Sequence, residues 1–211
     1  MSYYPDVMVD IETTGTSPDR TAMIQIAAVR FNKDTGEVDP NYFEGYLTMP
    51  KHRFWDEGTR NWWLGQKQEV LIGILEKAKP WEVTMEDFRN WVLQNPSPVF
   101  WGKPTHFDFS FIASYFNDLG WSNPFHYRFA NDMNSFIRAL WFTLGKTPPN
   151  LEAELEFVGD AHNAVWDTFH QVKVLLEHIK RVKNGGQELI EPQQHHCGTI
   201  HKGAGNVIDV E

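Results

Sequence analysis

The first quarter of the chain carries three short apolar runs separated by turn residues, a pattern typical of β-strands. The runs cover residues 7–15, 21–31 and 42–48. The turns between them contain Gly, Pro and Asp, which favour tight reversals of the chain. Because consecutive strands joined by short turns pair side by side in opposite directions, these three runs predict an antiparallel meander.

Beyond residue 55 the apolar positions change to helical spacing, and this spacing alternates with short apolar runs. Helices are predicted over residues 56–77, from a start at residue 84, and over residues 107–119, 134–144 and 163–183. Two further strands are predicted over residues 98–102 and 127–132. We therefore predict an α/β fold with a mixed five-stranded central sheet, in which the three-strand antiparallel meander is joined by parallel strands and flanked by helices.

Length and composition limit the class of protein. A chain of 211 residues is one domain of ordinary size, which we place at residues 1–184. The formal net charge of −9 argues against non-specific binding of polyanions through a basic surface, although bound metal ions can neutralise phosphate locally. A single cysteine excludes an internal disulfide and fits a reducing compartment. With no leader and no apolar run long enough for a membrane span, we expect a cytoplasmic protein without a membrane partner.

Residues 185–211 form a polar, Gly-containing extension without periodicity. We expect it to be flexible or docked on another surface. His195, His196, Cys197 and His201 are residue types that bind soft metals, but their spacing matches no closed zinc pattern. We therefore expect no structural zinc site in this extension.

Two acidic residues lie at the end of the first predicted strand. Asp10 and Glu12 are two positions apart, so in a strand both side chains leave the same face, roughly 7 Å apart along the chain. At an effective dielectric constant of about 20, two carboxylates at that separation repel by roughly 2 kcal/mol. A hard divalent cation with oxygen ligands would hold them together. The alternative is an ordinary acidic strand end, so this pair needs partners elsewhere in the chain.

Further acids and a histidine occur where the chain enters two of the predicted helices. Asp108 follows the fourth strand, at the kind of strand end where sites collect in α/β sheets. His162 and Asp167 are five residues apart, about 140° on a continuous helix, so they face one point only if His162 lies on the preceding loop. Helix capping and a surface histidine are the alternatives. Taken together, four carboxylates and one imidazole suit a pair of hard cations that support phosphoryl displacement.

The sequence around these residues resembles the three ordered motifs of the DEDDh 3′–5′ exonuclease family. The matching stretches are D-I-E-T-T-G at residues 10–15, H-F-D-F-S-F-I at residues 106–112 and H-N-A-V-W-D at residues 162–167. N-W-W-x-x-Q at residues 61–66 is also similar to phage DexA-type exonucleases and the related bacterial exoribonuclease-like group. The resemblance implies a ribonuclease-H-like fold, and a bacterial cell or phage-infected host as the location.

By this resemblance, the protein is expected to be a metal-dependent 3′–5′ exonuclease that releases 5′-mononucleotides from single-stranded nucleic acid, with DNA favoured over RNA. One Mg²⁺ or Mn²⁺ ion would be held by Asp10, Glu12 and Asp167, and a second mainly by Asp10 with Asp108 assisting through water. His162 would act as the general base. An endonuclease of the same fold and a non-catalytic nucleic-acid or polymerase-associated module are the alternatives. The oligomeric state stays open, with a homodimer possible.

Five residues are candidate contacts to the substrate. Thr13 occupies the family position whose main-chain N–H meets the terminal 3′ hydroxyl. Trp62 or Trp63 could stack on a terminal base, and Gln66 would share their helix face. Phe107 could line the pocket. For the aromatic residues, packing in the core is the alternative.

Overall fold

The computed structural model describes residues 3–186 as a five-stranded sheet with helices on both of its faces. The strands are β1 Asp6–Thr13, β2 Met23–Phe31, β3 Phe43–Tyr46, β4 Val99–Gly102 and β5 Ala130–Asp132. The helices are α1 Glu57–Leu64, α2 Gln68–Glu76, α3 Trp81–Val92, α4 Thr105–Asp118, α5 Met133–Phe142, α6 Leu151–Glu154 and α7 Ala164–Lys183, and a 3₁₀ turn covers Tyr127–Phe129. None of the helices in the described range is both long and apolar enough to cross a membrane.

The sheet is mixed, as the sequence predicts. Its strand order is β3-β2-β1-β4-β5. β1, β2 and β3 pair antiparallel, whereas β4 pairs parallel with both β1 and β5. Along β1, the pairing with β4 covers only residues 6–8, so the carboxyl-terminal half of β1 extends past the paired part of its parallel neighbour. The end of a strand that projects in this way is open to a ligand.

Alternation along β1 sends its side chains into two different layers. Val7, Val9 and Ile11 pack against α3 and α4. Met8, one position out of phase, packs against α5 and α7. Since side chains in a strand repeat every two residues, Asp10 and Glu12 leave the sheet on the same side as Met8, toward α7.

Several predicted boundaries differ in the structure. The predicted helix over residues 56–77 is two helices, because the chain leaves helical hydrogen bonding at Gly65, the C-cap residue of α1. The helix predicted to start at Thr84 begins at Trp81 instead, and the Thr84 hydroxyl donates to the Tyr46 carbonyl rather than capping the helix. Most of the predicted extension, including its His and Cys residues, lies outside the described residues.

The fifth predicted strand is shorter than expected, and one helix was not predicted. Residues 127–129 form a 3₁₀ turn, which leaves Ala130–Asp132 as β5. The four-residue helix α6, Leu151–Glu154, is too short to show a helical period in the sequence. Neither difference moves the predicted acids away from the edge of the sheet.

Candidate metal and nucleic-acid site

Three of the predicted acids meet at one point. Ligand oxygens of Asp10, Glu12 and Asp167 all lie within 4.8 Å of one another. The first two come from β1 and the third from the first turn of α7, so residues more than 150 positions apart in the sequence are brought together. The alternation of β1 and the docking of α7 on the sheet together place these carboxylates.

The entry of α7 is fixed to the sheet by a buried glutamine that the sequence analysis missed. Gln25 on β2 lies opposite Glu12 in the antiparallel register. Its Oε1 accepts from the backbone N–H of Ala164 at 3.1 Å, and its Nε2 donates to Asn163 Oδ1 at 3.2 Å. Asn163 in turn caps the helix by accepting from the N–H of Val165. A polar residue inside the otherwise apolar run of β2 was the available signal for this anchor.

Asp108 lies beside the three-acid group but outside it. It sits in the first turn of α4 and is only 2% exposed, and its Oδ2 is buried with no hydrogen-bond partner among the described residues. At Gly102, a Cβ would lie 3.0 Å from this oxygen, so glycine leaves the carboxylate its space. Burial, and next the charge of Asp10, raise the pKa of Asp108 well above its usual range.

The acids crowd negative charge into a site that is partly buried. Burial, and next the charge of Asp167, raise the pKa of Asp10 to about 7. Burial is also the main cause that raises the pKa values of Glu12 and Asp167. Lys103, which forms an ion pair with Glu152, lowers the pKa values of Asp10 and Asp167 without offsetting these effects. All four carboxylates therefore bind protons more tightly than exposed carboxylates do, and a nearby cation would oppose this effect.

His162 lies on the loop before α7, as the five-residue spacing requires. Its backbone adopts a left-handed conformation with φ of 62°, which turns the chain immediately before the helix. The His162 ring packs edge-to-face on Trp62, with ring centroids 4.8 Å apart. The same loop is tied to the α1–α2 junction by an ion pair between Lys67 and Asp160 at 2.6 Å. Two separate contacts therefore hold the histidine loop against the junction.

The structure separates the two neighbouring tryptophans. Trp62 is 43% exposed, next to His162. Trp63 is 1% exposed, packs against Ile24 and the α2 residues, and donates its indole N–H to the Thr13 carbonyl at 3.0 Å. A buried ring has no free face for a base, so the structure assigns Trp63 to the core instead of the substrate face. Trp62 stays a candidate for stacking.

The other three predicted substrate contacts, Gln66, Thr13 and Phe107, each make contacts within the protein. Gln66 is not on a helix face shared with the tryptophans, because α1 ends at Leu64, and its side-chain amide reaches back to the Trp62 carbonyl at 3.3 Å. Thr13 is buried, and its hydroxyl donates to the Gly15 carbonyl. Phe107 is half-buried and packs against the core on the α4 side. Their contacts with substrate stay predictions.

A second glutamine missed by the sequence analysis contacts the acids directly. Gln171 on α7 donates from Nε2 to Asp10 Oδ1 at 2.8 Å. It follows Asp167 by four residues, and residues with this spacing lie on one face of a helix. That spacing was a usable signal once Asp167 had been identified.

The described residues fit divalent cations. The three-acid group offers several oxygens to one point, and the buried Asp108 oxygen without a partner lies nearby. Oxygen ligands of this kind suit Mg²⁺ and Mn²⁺. A bound cation would also reverse the rise in carboxylate pKa, because it stabilises the ionised form.

A comparison with protein families also identifies a nuclease. The family model described as the 3′–5′ exoribonuclease Rv2179c-like domain matches residues 5–179. No curated protein sequence matches the chain.

Solved structures share the architecture at low sequence identity. The zinc-bound complex of E. coli exonuclease I with single-stranded DNA has a TM-score of 0.60 at 18% identity, covering 87% of this chain and 41% of its own. S. pombe Pop2p with Mg²⁺ and Mn²⁺ has a TM-score of 0.61 at 11% identity, covering 86% and 85%. The nuclease domain of 3′hExo, a DEDDh family member bound to rAMP, has a TM-score of 0.58 at 16% identity, covering 87% and 94%. The chain spans less than half the length of exonuclease I. These likenesses confirm the predicted ribonuclease-H-like fold.

Proposed function

We propose that this chain, which belongs to the family of Rv2179c-like 3′–5′ exoribonuclease domains, removes 5′-mononucleotides from the 3′ end of single-stranded nucleic acid with the help of divalent metal ions. Its membership of this family confirms the predicted nuclease class. One observation carries this proposal. Asp10, Glu12 and Asp167 converge within 4.8 Å, an arrangement that is electrostatically unfavourable without a cation.

The four acids would hold the metal ions. We assign one ion to Asp10, Glu12 and Asp167, whose oxygens lie together. We assign a second to Asp10 and Asp108, with Asp108 acting through water because it lies outside the three-acid group. When bound, two Mg²⁺ or Mn²⁺ ions supply the positive charge that stabilises the attacking and leaving oxygens of an in-line displacement.

We assign proton transfer to His162. A neutral imidazole on the loop before α7 can accept a proton from the attacking water. Asp167 is close enough for a charge on His162 to lower the pKa of its carboxyl, so the imidazole lies within electrostatic reach of the acids. The contact with Trp62 limits the rotation of the imidazole ring. Less entropy is therefore lost when the ring is oriented for the reaction.

The substrate would enter beside the exposed face of Trp62. Stacking of a terminal base on an indole contributes about 1–3 kcal/mol and reads no sequence, which suits an enzyme that removes one nucleotide after another. The description of the family model names an exoribonuclease, which acts on RNA, whereas the E. coli exonuclease I complex contains single-stranded DNA. RNA is therefore the first substrate to test, and the DNA favoured by the sequence analysis is the second.

The test uses 5′-end-labelled RNA and DNA oligomers of one sequence, incubated with Mn²⁺. We expect a ladder that shortens from the 3′ end one nucleotide at a time, and its loss in Asp10→Ala. Asp87→Ala removes an exposed carboxylate on α3 and serves as the matched control, with activity retained. An oligomer with a 3′-phosphate distinguishes trimming from internal cutting. Internal products would favour an endonuclease, and binding without hydrolysis would favour a non-catalytic module.

A further inference from the structure

Gln171 is the uncharged side chain that contacts the three-acid group most directly. It lies on α7, one turn after Asp167, and is 8% exposed. Its Nε2 donates to Asp10 Oδ1 at 2.8 Å, which joins β1 to α7 at the site. A hydrogen bond from a neutral donor to a buried carboxylate is among the stronger kinds.

The other half of the same amide has no partner. Gln171 Oε1 is buried and accepts no hydrogen bond from the described residues. A buried acceptor without a donor destabilises a protein. The orientation of the amide follows from its neighbour, because an ionised carboxylate accepts hydrogen bonds and donates none. The contact with an ionised Asp10 therefore keeps Nε2 on the carboxylate and leaves Oε1 without a donor among the described residues.

The residue type also fits the charge of the site. A lysine at position 171 would supply a cation in competition with a metal ion, and a glutamate would repel Asp10 directly. Glutamine supplies a donor to Asp10 while leaving the net charge of the acids unchanged. The four acids thus keep their full attraction for divalent cations, and one of them is held in a fixed orientation.

We propose that Gln171 is a positioning residue of the metal site: its amide N–H holds Asp10 Oδ1, so that the carboxylate is presented toward Glu12 and Asp167, and its unpaired Oε1 accepts a hydrogen bond from water at the ion site. This inference rests on the proposed function. Partners that orient metal ligands in this way typically change metal affinity by about 10–100-fold when they are removed.

The test is a Mn²⁺ titration without nucleic acid. Mn²⁺ binding is measured by calorimetry and, separately, from the rise in melting temperature that the metal causes. Gln171→Met keeps the length of the side chain without its amide, and Gln171→Asn keeps the amide but shortens its reach. Both variants should bind Mn²⁺ about 10–100-fold more weakly than wild type. At saturating Mn²⁺, their cleavage rates should recover in part, because the ligands themselves are intact.

His178→Leu is the matched control. His178 lies on the same helix, is 4% exposed and accepts one hydrogen bond from Trp141 Nε1 at 2.9 Å. Its seven-residue separation from Gln171 corresponds to about 10 Å along α7. The variant should melt at a lower temperature than wild type and keep wild-type affinity for Mn²⁺. Melting curves without metal show that each variant is folded.

The outcomes separate the two proposals. Wild-type Mn²⁺ affinity in both Gln171 variants, or an equal loss in His178→Leu, would overturn the role of Gln171 and leave the proposed nuclease function in place. No Mn²⁺ binding and no cleavage by the wild-type protein would overturn both.

Discussion

Replacing Asp10 by asparagine should stabilise the metal-free protein while abolishing its nuclease activity. Burial, and next the charge of Asp167, raise the pKa of Asp10 from 3.8 to about 7. Each unit of difference between the folded-state and unfolded-state pKa corresponds to about 1.4 kcal/mol. Once Asp10 is ionised in both states, it therefore destabilises the folded protein by about 4 kcal/mol. The Asp10→Asn variant lacks this charge and still offers a side-chain oxygen to Gln171. The expected gain is a large part of a typical domain's stability of about 5–15 kcal/mol.

The dependence on pH follows from which state binds the proton more tightly. Below about pH 4, Asp10 is protonated in both states, and the two proteins should have similar free energies of unfolding. From about pH 4 to about pH 7, the folded wild type keeps a proton that the unfolded chain has released. Its stability therefore falls more steeply as the pH rises than that of Asp10→Asn, which keeps only the raised pKa values of Glu12, Asp108 and Asp167. Above about pH 7 both states are ionised, and the difference stays near its maximum.

The assay is urea unfolding in EDTA across this range, for wild type, Asp10→Asn and the exposed-site control Asp87→Asn. The control should follow wild type at every pH. Saturating Mn²⁺ above neutral pH should then restore the stability of wild type, since a ligand that binds only the folded state stabilises it, and should have little effect on Asp10→Asn. Parallel curves for wild type and Asp10→Asn over the whole range would refute the electrostatic argument.

Three further predictions concern the other parts of the site. Asp167→Asn should lower kcat by at least about 100-fold in steady-state cleavage assays with an unchanged circular dichroism spectrum, because it removes charge that supports the transition state; wild-type-like activity would contradict this. Trp63→Ala should lower the free energy of unfolding by about 3–5 kcal/mol in urea titrations, whereas Trp62→Ala should change it by less than about 1 kcal/mol and raise KM. Lys67→Asp and Asp160→Lys should each lower kcat by about two- to fivefold, as expected for an exposed ion pair. The double variant, in which the two charges are exchanged, should restore kcat. A double variant no more active than either single variant would contradict a role for this pair in holding the histidine loop.

The sheet and the acids could be predicted from the sequence because both depend on short-range patterns. Alternation places Asp10 and Glu12 on one face whatever the rest of the chain does. The five-residue spacing between His162 and Asp167 requires the histidine to precede the helix, and the structure places it there. The motif order supplied the remaining acid, Asp108.

The features that the sequence analysis missed depend on tertiary contacts. Trp62 and Trp63 have the same residue type and adjacent positions, and only the break at Gly65 and the packing of α2 decide which of them is buried. Gln25 and Gln171 each make their decisive hydrogen bonds across more than 130 residues of sequence. No local periodicity reports such a contact, although a polar residue in an apolar run points to one.

The register of β1 links the fold to the chemistry. Val7, Val9 and Ile11 must face α3 and α4 to complete one core layer, and this forces Asp10 and Glu12 toward α7. A one-residue slip of the strand would bury both acids among apolar side chains and expose the valines to the site, so the same packing that stabilises the sheet also selects the face on which the carboxylates appear. Because β4 pairs only with residues 6–8, the acidic half of β1 is free of that neighbour, and the charge is concentrated where the strand can still bind a ligand.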